Sequence, residues 1–304
     1  MARRKKGRDI HGIVLLDKRQ GISSNKALQE VKRLYDANKA GHTGSLDPLA
    51  TGLLPICLGE ATKVSAYMLE DDKRYQTVIQ LGVMTDTGDV DGIILEEKPV
   101  PDISQQQLDE CLVSFEGEIE QIPPMYSALK HNGKKLYELA REGITVERKA
   151  RKITIYAIEF LNFSNDLLTL DVRCSKGTYI RTLAEDIGQY LGCGATVKEL
   201  RRTEAGEFKL TDARLIGQLQ EIASESDKTL QSILIPVDQP LQFIPAIQIS
   251  QTEADLVQQG QRIPSPAESN ELGLCRLYHA GQFLGLGEML MDAKIQPRKL
   301  FKLI

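Results

Sequence analysis

Apolar residues along the 304-residue chain change their period several times, and each change marks an element. Residues 10–16 form a short apolar run closed by the turn-forming pair Gln20-Gly21, which predicts a first strand. Ala27, Leu28, Val31 and Leu34 then recur at helical spacing behind Ser23 or Ser24, either of which can cap the helix. Residues 40–59 hold too many glycines for a regular element and predict a loop that feeds the buried run 53–58. A helix is expected over 60–69, a strand over 75–81 with Tyr75, Thr77, Ile79 and Leu81 on one face, and an amphipathic helix over 105–115.

The pattern changes at residues 121–152. They open on Ile122-Pro123-Pro124, scatter lysines and arginines, and show a short helix near 134–141, so they predict an exposed insertion or lid. Strands over 153–160 and 167–174 with a turn at 162–166, a helix over 182–191 and a strand near Phe208 follow. Helices and strands alternate irregularly, which predicts an α+β fold built on a mixed sheet. Pro236, Pro240 and Pro245 mark a linker over 236–248, and short segments punctuated by Gly260, Pro264, Pro266, Gly273, Gly281, Gly285 and Gly287 predict a small β-rich module. Residues 283–286 and 299–304 are its expected strands. The expected organisation is a larger mixed domain over 1–240 and a β-barrel-like module over 247–304.

Composition narrows the class. Apolar residues make up 41% and charged residues 26%, as in an ordinary globular chain. The longest apolar runs fall far short of the roughly 20 residues of a membrane helix, and no apolar stretch of the secretory kind opens the chain, so a cytoplasmic protein is expected. The cysteines, at 57, 111, 174, 193 and 275, are odd in number and lack the spacing of a metal or disulfide framework. Net charge is only −4, but its distribution is uneven. Residues 1–40 carry eleven Lys or Arg against four Asp or Glu, residues 124–152 eight against three, and residues 60–120 four against fifteen. Such segregation can hold a basic groove despite the overall sign, although Arg3, Arg4, Lys5, Lys6 and Arg8 fit a solubilising tail equally well.

Several chemistries lack their residues. No phosphate-binding glycine loop, dinucleotide fingerprint or HExxH is present, and His11, His42, His131 and His279 form no visible metal set. The run from Thr87 to Gly92 resembles the start of a calcium loop, but Thr87 stands where the first oxygen ligand belongs and Lys98 where the bidentate Glu belongs, so a hairpin turn is the better account. What remains is Asp47, a carboxylate in a glycine-rich turn, followed by Pro48 and flanked by apolar residues. Alone it fits an ordinary Asp-Pro turn as well as a rigidly held, partly desolvated acid.

The surrounding residues tell more. Gly41-His42-Thr43-Gly44-Ser45-Leu46-Asp47-Pro48-Leu49-Ala50-Thr51-Gly52-Leu53-Leu54 resembles the catalytic motif of the TruB-type pseudouridine synthases nearly residue for residue. In the same order as in that family, the segment from Leu16 to Asn25 resembles its N-terminal motif, and Lys73-Arg74-Tyr75 the segment with an active-site tyrosine. The segment from Gly177 to Leu183 resembles the one with an arginine, and that from Val197 to Thr203 the one with an apolar pocket wall. The end of the chain, around Leu256-Val257-Gln258-Gln259-Gly260-Gln261, is similar to a PUA domain. One departure is Arg19, where the family usually has proline.

The resemblance implies a pseudouridine synthase, with 1–240 as its catalytic domain, acting without cofactor or metal on uridine 55 in the TΨC arm of tRNA. Asp47 would be the catalytic carboxylate and Arg181 its partner. Tyr75 would stack on the flipped base, and Tyr179 and Leu200 would line the pocket. His42 and Lys18 would contact RNA, as would Lys130, Lys134, Lys149 and Arg151 of a basic thumb, with Lys135, Arg148 and Lys152 beside them. The C-terminal module would reach the acceptor end. The expected enzyme is a monomer with no obligatory protein partner and no membrane contact. Two other readings stay open: a guide-RNA-directed synthase with the same catalytic motif, and a tRNA-binding folding chaperone that does not depend on catalysis.

Overall fold

The computed structural model describes residues 7–265 and 272–303. The tail cations Arg3, Arg4, Lys5 and Lys6, together with Pro266 and Ile304, lie outside the described residues.

The chain starts with strand β1 (Gly12–Lys18) and helix α1 (Ser24–Leu34), capped by Ser23, whose side chain accepts from the Lys26 N–H. Strand β2 (Ala40–His42) occupies the start of the expected loop and leaves 43–50 irregular before β3 (Thr51–Leu58). β3 is apolar along nearly its whole length because it is covered on both faces. The expected helix over 60–69 is divided into a 3₁₀ turn (Gly59–Lys63) and α2 (Ser65–Leu69). β4 (Lys73–Leu81) buries Thr77, Ile79 and Leu81 of the expected face and half-buries Tyr75, with Lys73 buried as well. β5 (Val83–Thr85) and β6 (Ile94–Glu97) form the hairpin whose turn mimics a calcium loop.

Helix α3 (Gln105–Ser114) carries a Ser104/Gln107 capping box and leads to β7 (Gly117–Gln121). Between β7 and β10 (Arg151–Ser164), which pair antiparallel, the chain makes the expected excursion. It contains a small hairpin of β8 (Lys130–His131) and β9 (Lys134–Lys135). Asn132 and Gly133, both at positive φ, make the turn. α4 (Leu136–Arg141) follows, so the helix here starts later than 134. β10 runs to Ser164 and turns through Asn165-Asp166, also at positive φ, into β11 (Leu167–Cys174), a tighter turn than 162–166. α5 (Ile180–Tyr190) begins two residues before the expected 182, which puts Arg181 in its first turn.

β12 (Ala195–Ala205) was not expected as a strand and lies near the middle of the sheet. With β13 (Phe208–Lys209) it completes a nine-stranded sheet whose main path runs β1-β3-β12-β4-β11-β10-β7. The β12–β3 pairing is parallel and its neighbours antiparallel, which makes the sheet mixed. Helices α6 (Ile216–Glu225) and α7 (Asp227–Ser232), in a stretch for which the sequence pattern predicts no element, pack near α1.

The C-terminal module is a five-stranded sheet of β14 (Ala246–Gln248), β15 (Ile263–Pro264), β16 (Gly273–His279), β17 (Gln282–Met289) and β18 (Lys294–Leu300), in the order β14-β16-β17-β18-β15. Helix α8 (Gln251–Gln258) precedes β15 and buries Ala254 and Val257. The last strand ends at Leu300, so the expected strand over 299–304 is shifted. Phe301 instead turns inward with Tyr278, Phe283 and Leu286 against Leu15, Leu53 and Cys57 of the main sheet. That apolar seam joins the module to the back of the strands that carry the site.

Candidate active site

The loop 43–50 leaves the sheet and presents Asp47 at the mouth of a cleft of about 290 Å³. Asp47, Tyr75, Tyr179, Arg181 and Leu200 all line it, so the five residues meet although 153 positions separate the first from the last (200 − 47). Each comes from a different point of the fold: Tyr75 from β4, Tyr179 and Arg181 from the start of α5, Leu200 from β12.

Arg181 is the most constrained of them. Its side chain is 5% exposed, and its Nε lies 3.0 Å from Asp47 Oδ2. Nη1 donates to the Thr87 carbonyl at 2.6 Å and Nη2 to the Tyr126 carbonyl at 2.7 Å. The guanidinium therefore fixes Asp47, the β5–β6 turn and the backbone at Tyr126 between β7 and β8 at once. Asp47 keeps 41% of its side-chain surface, which leaves one face of the carboxylate open to a ligand.

The loop itself is held from behind. Ser24 Oγ accepts from the Leu46 N–H at 2.7 Å and donates to the Leu46 carbonyl at 2.9 Å, so both backbone groups of the residue before Asp47 are tied to the start of α1. The Gly21 N–H donates to the Pro48 carbonyl on its other side at 2.8 Å. Gly52, at φ +99°, lies so close to β12 that a Cβ would stand 2.3 Å from the Arg202 carbonyl oxygen, which requires glycine there. The Tyr179 peptide is fixed by Gln121, whose side chain accepts from its N–H at 2.7 Å and donates to its carbonyl at 3.0 Å.

A half-exposed carboxylate paired with a buried, fixed guanidinium, beside two tyrosines and an apolar wall, suits a planar base better than a phosphate. Comparison with known proteins names the chemistry. The profile described as "TruB family pseudouridylate synthase (N terminal domain)" matches residues 32–180, and that of the "tRNA pseudouridylate synthase B C-terminal domain" matches 181–242. "Pseudouridine synthase II TruB, C-terminal" matches 245–301.

The chain belongs to the TruB family of pseudouridine synthases.

Relatives in this TruB family include the "tRNA pseudouridine synthase B" of Nitrosococcus oceani, 52% identical over 299 residues that cover 98% of this chain and 97% of that protein. The protein of the same name from Serratia proteamaculans is 48% identical over 306 residues, covering 98% and 97%. Among solved structures, the "Crystal Structure of a Cbf5-Nop10-Gar1 Complex" is similar at TM-score 0.72 and 25% identity, covering 96% of this chain and 85% of that one. The "Structure of H/ACA RNP bound to a substrate RNA containing 2'-deoxyuridine" has TM-score 0.73 at 22% identity, covering 99% and 92%. The enzyme is thus a pseudouridine synthase with the mixed-sheet fold of that class.

Two groups of this TruB-type site escaped the sequence reading. Asp89, 9% exposed, lies 3.8 Å from Arg181 Nη1, and Thr87 Oγ1 donates to it at 2.7 Å. Burial holds its carboxyl above the ordinary value, against the opposing pull of Thr87 and Arg181. Its sequence context, Thr-Gly-Asp-Val-Asp-Gly, reads as a turn and gives no sign of burial. Arg202, 1% exposed, also lines the cleft.

Lys18 requires a correction. It is fully buried, and its Nζ donates to the carbonyls of Ile22 at 2.9 Å and Arg19 at 3.1 Å. Burial lowers its pKa to about 8, and the fold leaves none of the residue's surface exposed for the expected RNA contact. It closes the N-terminal turn from inside. Arg19, in the place of the family's usual proline, reaches Glu30 on α1 with two hydrogen bonds of 2.7 and 2.9 Å. His42 stands on β2 outside the set that lines the cleft, and its Nδ1 is buried without a partner. Burial, then the nearby Arg202, lowers its pKa.

The cations of residues 121–152 divide into two groups. Lys130, Lys149 and Arg151 are exposed and carry no carboxylate partner among the described residues. Lys134 pairs with Glu142, Lys152 pairs with Glu118, and Arg148 Nη1 donates to the Pro123 carbonyl. Lys135 packs over the Tyr137 ring. No helix among the described residues is long and apolar enough to cross a membrane.

Proposed function

We propose that the chain isomerises uridine 55 in the TΨC arm of tRNA to pseudouridine, alone and without a guide RNA. The observation that carries this reading is the Asp47–Arg181 pair in a cleft walled by Tyr75, Tyr179 and Leu200. The tRNA-named relatives that match nearly the whole chain support the substrate. Pseudouridine formation breaks the N1–C1′ bond, rotates the uracil and rejoins it through C5, with no redox step and no energy source. The base must first leave its stack, at a cost of about a few kcal/mol.

In this reading Asp47, aimed by Arg181, attacks or takes a proton at the ribose or the uracil. Tyr75 stacks on the flipped base, while Tyr179 and Leu200 contain it. An apolar wall lets the uracil turn, because it offers no directional bonds to be broken. His42 contacts RNA beside the vacated position. The segment 121–152 grips the T arm and the module from 247 onward touches the acceptor end. The enzyme works as a cytoplasmic monomer.

Turnover of a bare tRNA transcript by the purified chain tests the proposal. A requirement for any added guide RNA or protein would assign the chain to the guide-directed class instead.

Phosphate contacts by the thumb also predict a salt dependence. The logarithm of the tRNA binding constant should fall linearly with the logarithm of salt concentration. Lys130→Ala, Lys149→Ala and Arg151→Ala should each lower the slope by about 0.7–1. Filter binding across a salt series measures this, and a slope unchanged in all three variants contradicts the thumb assignment.

A further inference from the structure

Arg181 orients the Asp47 carboxylate, but a second guanidinium orients the loop that carries it. Arg202 Nε donates to the Leu53 carbonyl at 2.7 Å and its Nη2 to the Gly44 carbonyl at 3.1 Å. Gly44 precedes Asp47 and Leu53 follows it, so one side chain spans the base of the loop. Its position on β12 makes this possible: Arg202 is in register with Gly52 of β3 on one side and Tyr75 of β4 on the other. The two strands that bring Asp47 and Tyr75 into the cleft are thus joined through this residue.

The charge is unusual for its location. Arg202 is 1% exposed, and among the described residues no carboxylate lies within 4.0 Å of it. An unpaired buried cation is costly, and neutral donors could satisfy two carbonyls. Only a rigid planar fork reaches both carbonyls from one side chain. It also lines the cleft beside Asp47, so its field acts where charge develops. Burial raises the Tyr75 phenol's pKa, and Arg202 is the leading opposing influence.

We propose that Arg202 is a positioning residue of the reaction: it pins both ends of the Asp47 loop and fixes that loop against the strand bearing Tyr75. The inference rests on the assignment of Asp47 as the catalytic group. A displacement of about 1 Å at a reacting group can cost about 10²-fold in rate, so loosening this clamp should appear in kcat and not in tRNA affinity.

The test uses the full chain carrying Arg202→Met or Arg202→Lys, with kcat and KM on unmodified tRNA, tRNA Kd and Tm measured together. The expected result is a kcat lowered about 100-fold in the Met variant and about tenfold in the Lys variant, with KM and Kd within about twofold of wild type. If the Met variant does not fold, the Lys variant, which keeps the cation but not the fork, decides. A wild-type kcat per folded Lys-variant molecule, or a loss confined to KM or Kd, overturns the proposal. Asp47→Asn run in parallel separates the two readings. An inactive Asp47→Asn with a fully active Arg202→Lys refutes the clamp alone, whereas an active Asp47→Asn refutes the assignment beneath it.

Discussion

Asp47→Asn should bind tRNA as the wild type does and convert almost none of it, a loss on the order of 10⁴-fold in turnover. The substitution keeps the shape of the side chain, and an amide oxygen can still accept from Arg181 Nε across the present 3.0 Å. It removes the one property every route requires, a charged oxygen able to attack or take a proton. Stability should barely change, because a carboxylate with 41% of its surface in water contributes little through its ion pair, about 0–1 kcal/mol. Single-turnover conversion and a binding isotherm on the same preparation check both halves. Turnover within tenfold of wild type would remove Asp47 from the chemistry.

Arg181→Met should damage the fold and the reaction together. The side chain is 5% exposed and donates to the Thr87 and Tyr126 carbonyls while facing Asp47 and Asp89. Its loss leaves Asp89 buried without its cation and two carbonyls without donors, a destabilisation of about 3–5 kcal/mol. Turnover should fall by about 10³-fold, since Asp47 loses its alignment and the backbone at Tyr126 its anchor. Arg181→Lys should recover part of the stability and little of the rate, because an ammonium cannot bond Asp47 and both carbonyls in the guanidinium's geometry. Urea unfolding and single-turnover rates measure the two effects. A variant equal to wild type in both would show that the three-loop junction does not matter.

The parts of this arrangement that were legible in sequence are those where one residue type allows one conformation or one face. The glycines around Asp47 marked an irregular loop, and the alternation of Tyr75, Thr77, Ile79 and Leu81 marked β4, with Tyr75 delivered to the cleft. β12 was missed because Lys198, Glu199, Arg201, Arg202 and Glu204 do not look like a central strand. The structure explains the charge: Arg202 points into the cleft wall, and Arg201 reaches Asp17 at 2.6 Å. Lys18 failed in the opposite sense. A lysine in a polar, glycine-containing segment looks exposed, and only the tertiary fold shows that Nζ turns inward to close a turn. Asp89 reads from sequence as part of a turn, because its burial against Arg181 depends on a helix more than ninety residues away (181 − 89 = 92).

The most direct test of the central claim is nucleotide-by-nucleotide mapping of pseudouridine in an unmodified tRNA transcript incubated with the purified protein and nothing else. The account predicts near-complete conversion at position 55, no conversion elsewhere, and none at all with Asp47→Asn. Pseudouridine at a different position, or tRNA that is bound and left unmodified by the wild type, would contradict it.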